Sequence, residues 1–138
     1  MFGCLFKIMK HFSLIFILSC AIPISLWAIK YNIKSFGAIA DGVTLNTKAI
    51  QKAIDKAHAD GGGIVVIPEG RFVSGSIILK NGVVLHLEKK AVLLGSIDVA
   101  DYIKLNRWGK ALIMADGASN ISISGRGTID GRGSELAL

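Results

Sequence analysis

The sequence predicts an all-β solenoid roofed at its start by one amphipathic α-helix. Three features carry that prediction. After Gly63 the apolar residues come in short runs broken by Gly, Asn and Asp; no helical pattern returns between those runs; and the one helical pattern stands directly before the first of them. Short strands with glycine-rich corners suit a solenoid, where each strand pairs with the coil above and below it and not with its sequence neighbour.

Residues 1–28 stand apart from this scheme. Lys7, Lys10 and His11 precede the apolar run from Phe12 to Ala28, the layout of a secretory signal peptide. Met9 followed by Lys10 makes as good a start as Met1. Ala28 is one small residue at which cleavage would fall, and Ala21 with Ser19 is another. Cys20, after Leu18 and Ser19, sits where a lipoprotein cysteine would be acylated, and the run is also about the minimum length for an uncleaved anchor. The expectation is export, secreted or periplasmic, with a lipid anchor at Cys20 as the alternative. Both cysteines, Cys4 and Cys20, lie in this leader, so residues 29–138 have no disulfide partner, thiolate metal site or cysteine nucleophile.

Residues 30–44 read as an extended lead-in ending in the turn dipeptide Asp41-Gly42. Asn46 is then the expected N-cap of a helix, its side chain taking up a free N–H of the first turn. Ala49, Ile50, Ala53, Ile54 and Ala57 form one apolar stripe at helical spacing; Lys48, Gln51, Lys52, Asp55 and Lys56 cover the rest. Gly61-Gly62-Gly63 stops the helix. A phosphate cradle would need the reverse order, strand before glycines and helix after.

The strands follow as Ile64–Ile67, Arg71–Val73, Ser76–Leu79, Val83–Leu87, Ala91–Leu94, Ala111–Met114, Ile121–Ser124 and Thr128–Ile129. Val83, Leu85 and Leu87 share one face against His86 and Glu88; Ile121 and Ile123 point in, Ser122 and Ser124 out. Ile97 to Lys110 reads as a loop inserted between coils. The absence of returning helices excludes a doubly wound α/β sheet. A solenoid's first coil also exposes unpaired backbone and an apolar end, which the alanine-striped helix would cover.

The chain carries 16 Lys and Arg against 10 Asp and Glu, a net of +6, which falls to +4 without Lys7 and Lys10. These charges are scattered and not interleaved with aromatics, the pattern of a solvated surface; nucleic acid is excluded as a partner. His58 and His86 have no Ser, Asp or second His beside them in sequence. Asp98, Asp101, Asp116 and Asp130 fall in separate turns and read as turn formers. Gly125 to Gly131 misses the dinucleotide fingerprint's third glycine by one position, and Asn120-Ile121-Ser122 is a formal glycosylation triplet read as a turn before a strand.

A family likeness lies in Phe36-Gly-Ala38, Asp41-Gly42, Asn46-Thr47 leading into Ala49-Ile50 and Ala53-Ile54, and Gly61-Gly-Gly-Ile-Val-Val-Ile-Pro68. It extends through Ala91-Val-Leu-Leu-Gly-Ser96, Asp101-Tyr102 and Asn120-Ile-Ser-Ile-Ser-Gly-Arg-Gly-Thr-Ile-Asp-Gly131. These stretches resemble the pectate-lyase-like β-helix superfamily and, within it, the family 28 glycoside hydrolases, the polygalacturonases and rhamnogalacturonases. The resemblance implies a right-handed single-stranded parallel β-helix. It also implies inverting hydrolysis of α-linked galacturonate in pectin by carboxylic acids on either side of the bond, in a monomer without cofactor. That family's catalytic motifs are Asn-x-Asp, Asp-Asp, Gly-His-Gly and Arg-x-Lys, and none occurs here. The expectation is therefore that residues 29–138 are the first coils of a longer domain. The catalytic residues would lie in later coils beyond Leu138, and this chain would hold no catalytic, cofactor-binding or metal-binding residue. A non-catalytic glycan binder of the same fold is the rival from another class; a lyase of that fold would need carboxylates placed for calcium.

Overall fold

The computed structural model describes residues 28–105 and 109–136. The leader reading with Cys4, Cys20 and the two start sites falls on residues outside these. Among the described residues no helix is long and apolar enough to cross a membrane.

Among the described residues ten strands wind into three parallel sheets. One joins β1 (Lys30–Asn32), β3 (Gly63–Ile67), β6 (Val83–Leu87) and β9 (Ser122–Gly125). A second joins β2 (Asp41–Leu45), β4 (Gly70–Ser74), β7 (Ala91–Gly95) and β10 (Thr128–Asp130). The third pairs β5 (Ile77–Leu79) with β8 (Ile113–Ala115). Among the described residues every ladder between these strands is parallel and no strand pairs with its immediate successor, the isolated Lys104–Lys110 bridge alone being antiparallel. The chain is thus a parallel β-helix, as its short punctuated runs predict.

Because a parallel ladder in register repeats the inward side at each coil, the core forms columns. Tyr31, Val65, Leu85 and Ile123 lie on one; Phe72, Leu93 and Ile129 on another. Val65, Leu85, Phe72 and Leu93 are fully buried, whereas Ile123 is 48% and Ile129 41% exposed at the far end of their columns. Corner glycines let adjacent coils approach. At Gly125, φ is +108° and an added Cβ would lie 1.9 Å from the Leu87 carbonyl oxygen, so only glycine fits.

Helix α1 (Thr47–Ala59) covers the near end. Its predicted stripe, Ala49, Ile50, Ala53, Ile54 and Ala57, is buried against the stack. Ile50 and Ile54 contribute on the order of 1.5–3 kcal/mol each by burial. The other flank pairs with backbone. Thr47 Oγ1 accepts from Gly75 N (2.7 Å), Gln51 Oε1 from Ile78 N (2.9 Å), and Gln51 Nε2 donates to Ile78 O (3.0 Å). Asn46 N donates to Val73 O (2.7 Å) and His58 Nδ1 meets Asn81 O (3.1 Å). Helix side chains thus stand where a preceding coil would pair with β5. The glycine stop forms as expected, with Gly61 and Gly62 at positive φ and Gly62 N bonded to Ala57 O (2.8 Å).

Several local expectations need correction. Asn46 precedes α1 but makes no side-chain cap. Its amide clamps the preceding loop instead, accepting from Ile39 N (2.8 Å) and donating to Ile39 O (3.0 Å) and Thr44 O (2.9 Å). The lead-in holds two strands and a 3-10 turn (Ile33–Phe36), not one extended piece. Asp41-Gly42 does turn the chain, Asp41 accepting from Val43 N and Thr44 N at 2.9 and 2.7 Å, but inside the irregular strand β2. These bonds, with the Thr44 hydroxyl first among them, bring the Asp41 pKa down to about 2. Strand β8 begins later than Ala111, because the Ala111 carbonyl is taken by the Ser76 hydroxyl.

Gln51→Ala strips both backbone groups of Ile78 of their partners and is expected to destabilise the fold by about 1–3 kcal/mol. Urea unfolding measures this, and a change within noise would show that the edge pairing contributes nothing. A second test concerns Tyr31 Oη, which donates to Asp60 Oδ2 at 2.6 Å. That bond raises the Tyr31 pKa and lowers that of Asp60. The Asp60 contribution is present above the ordinary carboxylate range and lost as pH falls through its lowered pKa. The Tyr31 contribution is present below about pH 10 and lost as pH rises through its raised pKa. Tyr31→Phe should flatten both limbs of a Tm-versus-pH curve, and an unchanged curve would assign them elsewhere.

Candidate functional site

The outward side of the first sheet carries Asn32, Val66, His86 and Ser124 in one register column. His86 Nδ1 and Ser124 Oγ lie 2.9 Å apart. The sequence separates them by 38 residues; one turn of the solenoid makes them neighbours. Strand spacing sets that meeting, so the signal for it is the alignment of the Val83 and Ile121 runs as successive rungs.

Beside this pair the turns between the first and second sheets stack into an open groove of about 660 Å³, lined by Glu69, His86, Leu87, Glu88, Lys89, Gly125 and Arg126. Both signs of charge are present, and the Lys90–Glu69 pair is loose (3.9 Å) and well exposed, worth little in water. The groove offers hydrogen-bonding and charged groups to a polar ligand. Its two carboxylates, Glu69 and Glu88, share the groove with Lys89 and Arg126.

The predicted turn formers behave locally. Asp98 Oδ1 accepts from Ala100 N (2.8 Å), Asp130 Oδ1 from Arg132 N (2.9 Å), and the Asp101 carboxylate from the Ser96 hydroxyl. Asp116 lines a separate cavity of about 240 Å³ with His58 and Asn81. The structure does not bring these four aspartates into one cluster. Among the described residues no group of three or more His, Cys, Asp and Glu is placed to hold a metal ion.

The inserted loop after β7 is fastened by small hydroxyls that sequence reading passed over. Buried Ser76 donates to Ala111 O (2.6 Å) and accepts from Ile103 N (2.9 Å). Tyr102 Oη donates to Ser96 O (2.7 Å), and Ser96 N to Ser74 O (2.8 Å). Gly75 lets the loop close down: a Cβ there would lie 2.0 Å from Asp101 O. Residues 96–103 are therefore held as a wall where the second sheet turns into the third.

Coils of this kind, with an inserted wall at one corner and a charged groove at another, define a parallel β-helix protein with polar corner surfaces. The chain belongs to the rhamnogalacturonase A/epimerase, pectate-lyase-like family, whose model matches residues 30–135. It is 39% identical over 118 residues to an exo-poly-alpha-D-galacturonosidase of Dickeya chrysanthemi, covering 74% of this chain and 19% of that protein. The family 28 exopolygalacturonase of Yersinia enterocolitica superposes with a TM-score of 0.66 at 40% identity, over 75% of this chain and 21% of that one. The A-module of the Azotobacter vinelandii mannuronan C-5 epimerase AlgE4 gives 0.60 at 29% identity, over 76% and 30%. The chain thus spans about a fifth of the length of the first two relatives.

Ser76→Ala removes the donor to Ala111 O and the acceptor of Ile103 N at once. The expected cost is about 1–3 kcal/mol, with faster amide exchange at Ile103 than at core sites such as Leu85. Uniform exchange across both positions would show that Ser76 does not fasten the loop.

Proposed function

We propose that this chain forms the opening coils of an exported hydrolase that cuts α-linked galacturonate in pectin with inversion. The observation that carries the reading is the match along residues 30–135, with 39–40% identity to galacturonate-cleaving enzymes over three quarters of the chain. In this reading the described coils are a foundation: α1 closes the stack, the corners present polar surface, and the carboxylates that act on the bond belong to further coils. The leader directs the protein out of the cell, by cleavage near Ala28 or by acylation at Cys20.

The likeness to a mannuronan C-5 epimerase favours one second reading, action on a different uronate polymer. The two differ in substrate and product. The longest open reading frame containing this sequence, expressed and assayed on polygalacturonate, is expected to release reducing ends with inverted anomeric configuration by proton NMR. A chain ending at Leu138 should release none. Unsaturated products, epimerised mannuronan without chain cleavage, or hydrolysis by the 138-residue chain would each overturn the proposal.

A further inference from the structure

We propose that the cleft between the inserted loop and the turn after β10 is a subsite for one carboxylated sugar of an anionic polysaccharide, with Lys110 taking the carboxylate. The inference rests on the uronate-directed reading above and adds to it a place and a residue. The cleft has a volume of about 220 Å³ and is lined by Val99, Tyr102, Lys110, Ala111, Leu112 and Gly131. That is below the roughly 300–1,000 Å³ of sites for drug-sized ligands, and suits a single ring of a longer chain.

Three observations point to such a ligand. The first is the state of the cation. Lys110 Nζ donates to Val99 O at 2.9 Å. One N–H is thereby spent on fixing the ammonium at the cleft, and two remain for a ligand. Among the described residues no carboxylate lies within ion-pairing distance of Lys110; the ion pairs there involve Lys56, Lys80, Lys90 and Arg132. The second is the lining. Val99, Ala111 and Leu112 give an apolar surface of the kind against which the C–H face of a pyranose packs, next to a charge that a neutral hexose would leave unmatched.

The third is rigidity. Tyr102 is buried and tied through its hydroxyl to Ser96 O, while Ser76 holds both Ala111 and Ile103. On the opposite side Arg132 Nε donates to Gly95 O at 2.6 Å, which pins a second cation next to Gly131. Walls fixed before the ligand arrives spare the ordering cost of binding. An ammonium holds a carboxylate as a point charge and not through a bidentate fork, so binding here should weaken as salt rises.

The test is titration of the 138-residue chain with linear trimers of galacturonate, of mannuronate and of uncharged galactose, followed by calorimetry and by amide chemical shifts. Saturable binding of at least one uronate trimer is expected, at least tenfold tighter than the galactose trimer, with shifts at Val99, Tyr102 and Ala111. Lys110→Gln should weaken it at least tenfold. Val99→Asp, which sets a like charge beside the site, should do the same, both variants keeping the parent circular dichroism and Tm. Affinity unchanged in Lys110→Gln, equal binding of the galactose trimer, or no binding at millimolar ligand overturns the subsite. Which uronate binds separates the two polymer classes. The pectin reading is judged apart by the hydrolysis assay: Lys110-dependent binding without hydrolysis by the longer product would sink that reading alone, and hydrolysis with Lys110-independent binding would sink the subsite alone.

Discussion

The fold depends on how its first strand edge is closed. A parallel β-helix has no hairpins to satisfy its ends, so the backbone of the leading coil must find partners outside the ladder or face water. At the edge of the third sheet helix α1 does this with two of its flanks, while β1 and β2 lead the other two sheets. Ala49, Ile50, Ala53, Ile54 and Ala57 bury the apolar end, and the run from Asn46 to His58 meets the backbone from Val73 to Asn81. The small alanine side chains set the distance, since a bulkier stripe would hold Gln51 away from Ile78. Hydrophobic closure and hydrogen-bond closure are thus one packing event.

With that end fixed, each later coil inherits its register. Ile64, Val65 and Val66 pair with Val84, Leu85 and His86, and the last three pair in turn with Ser122, Ile123 and Ser124. A one-residue slip would exchange the buried and exposed columns, so the burial of Val65 and Leu85 also dictates that His86 and Ser124 meet outside. The surface chemistry of this sheet is a by-product of its core. The same holds at the corners, where Gly75 and Gly125 permit approaches that no side chain would, and so let loops stack into walls and grooves.

The inserted loop shows how such a scaffold acquires specific features. Its fastening uses Ser76, Ser96 and Tyr102, whose polar atoms are nearly all turned to backbone. Among the described residues no buried side-chain nitrogen or oxygen is left without a partner, which is what a loop lying against a core demands. Rigid support of this kind is the usual basis for a loop that carries function.

Much of this was legible in the residues. The apolar stripe of α1, the glycine stop and the alternation of Val83–Leu87 follow from local periodicity, because side-chain spacing on a helix or strand is fixed by backbone geometry alone. The lead-in strands were not legible: Lys30–Asn32 and Asp41–Leu45 become strands by pairing with β3 and β4, not by any pattern of their own. Asn46 was misread as a local cap for the same reason, and the role of Gln51 went unread, since their partners lie in the preceding loop and in β5. The sequence by itself determined the kind of element, its direction of burial and the winding of coil on coil. Which distant polar groups meet, His86 with Ser124 or Lys110 with Val99, only the tertiary structure decided, because such contacts depend on register between coils, a relation that no stretch of neighbouring residues encodes.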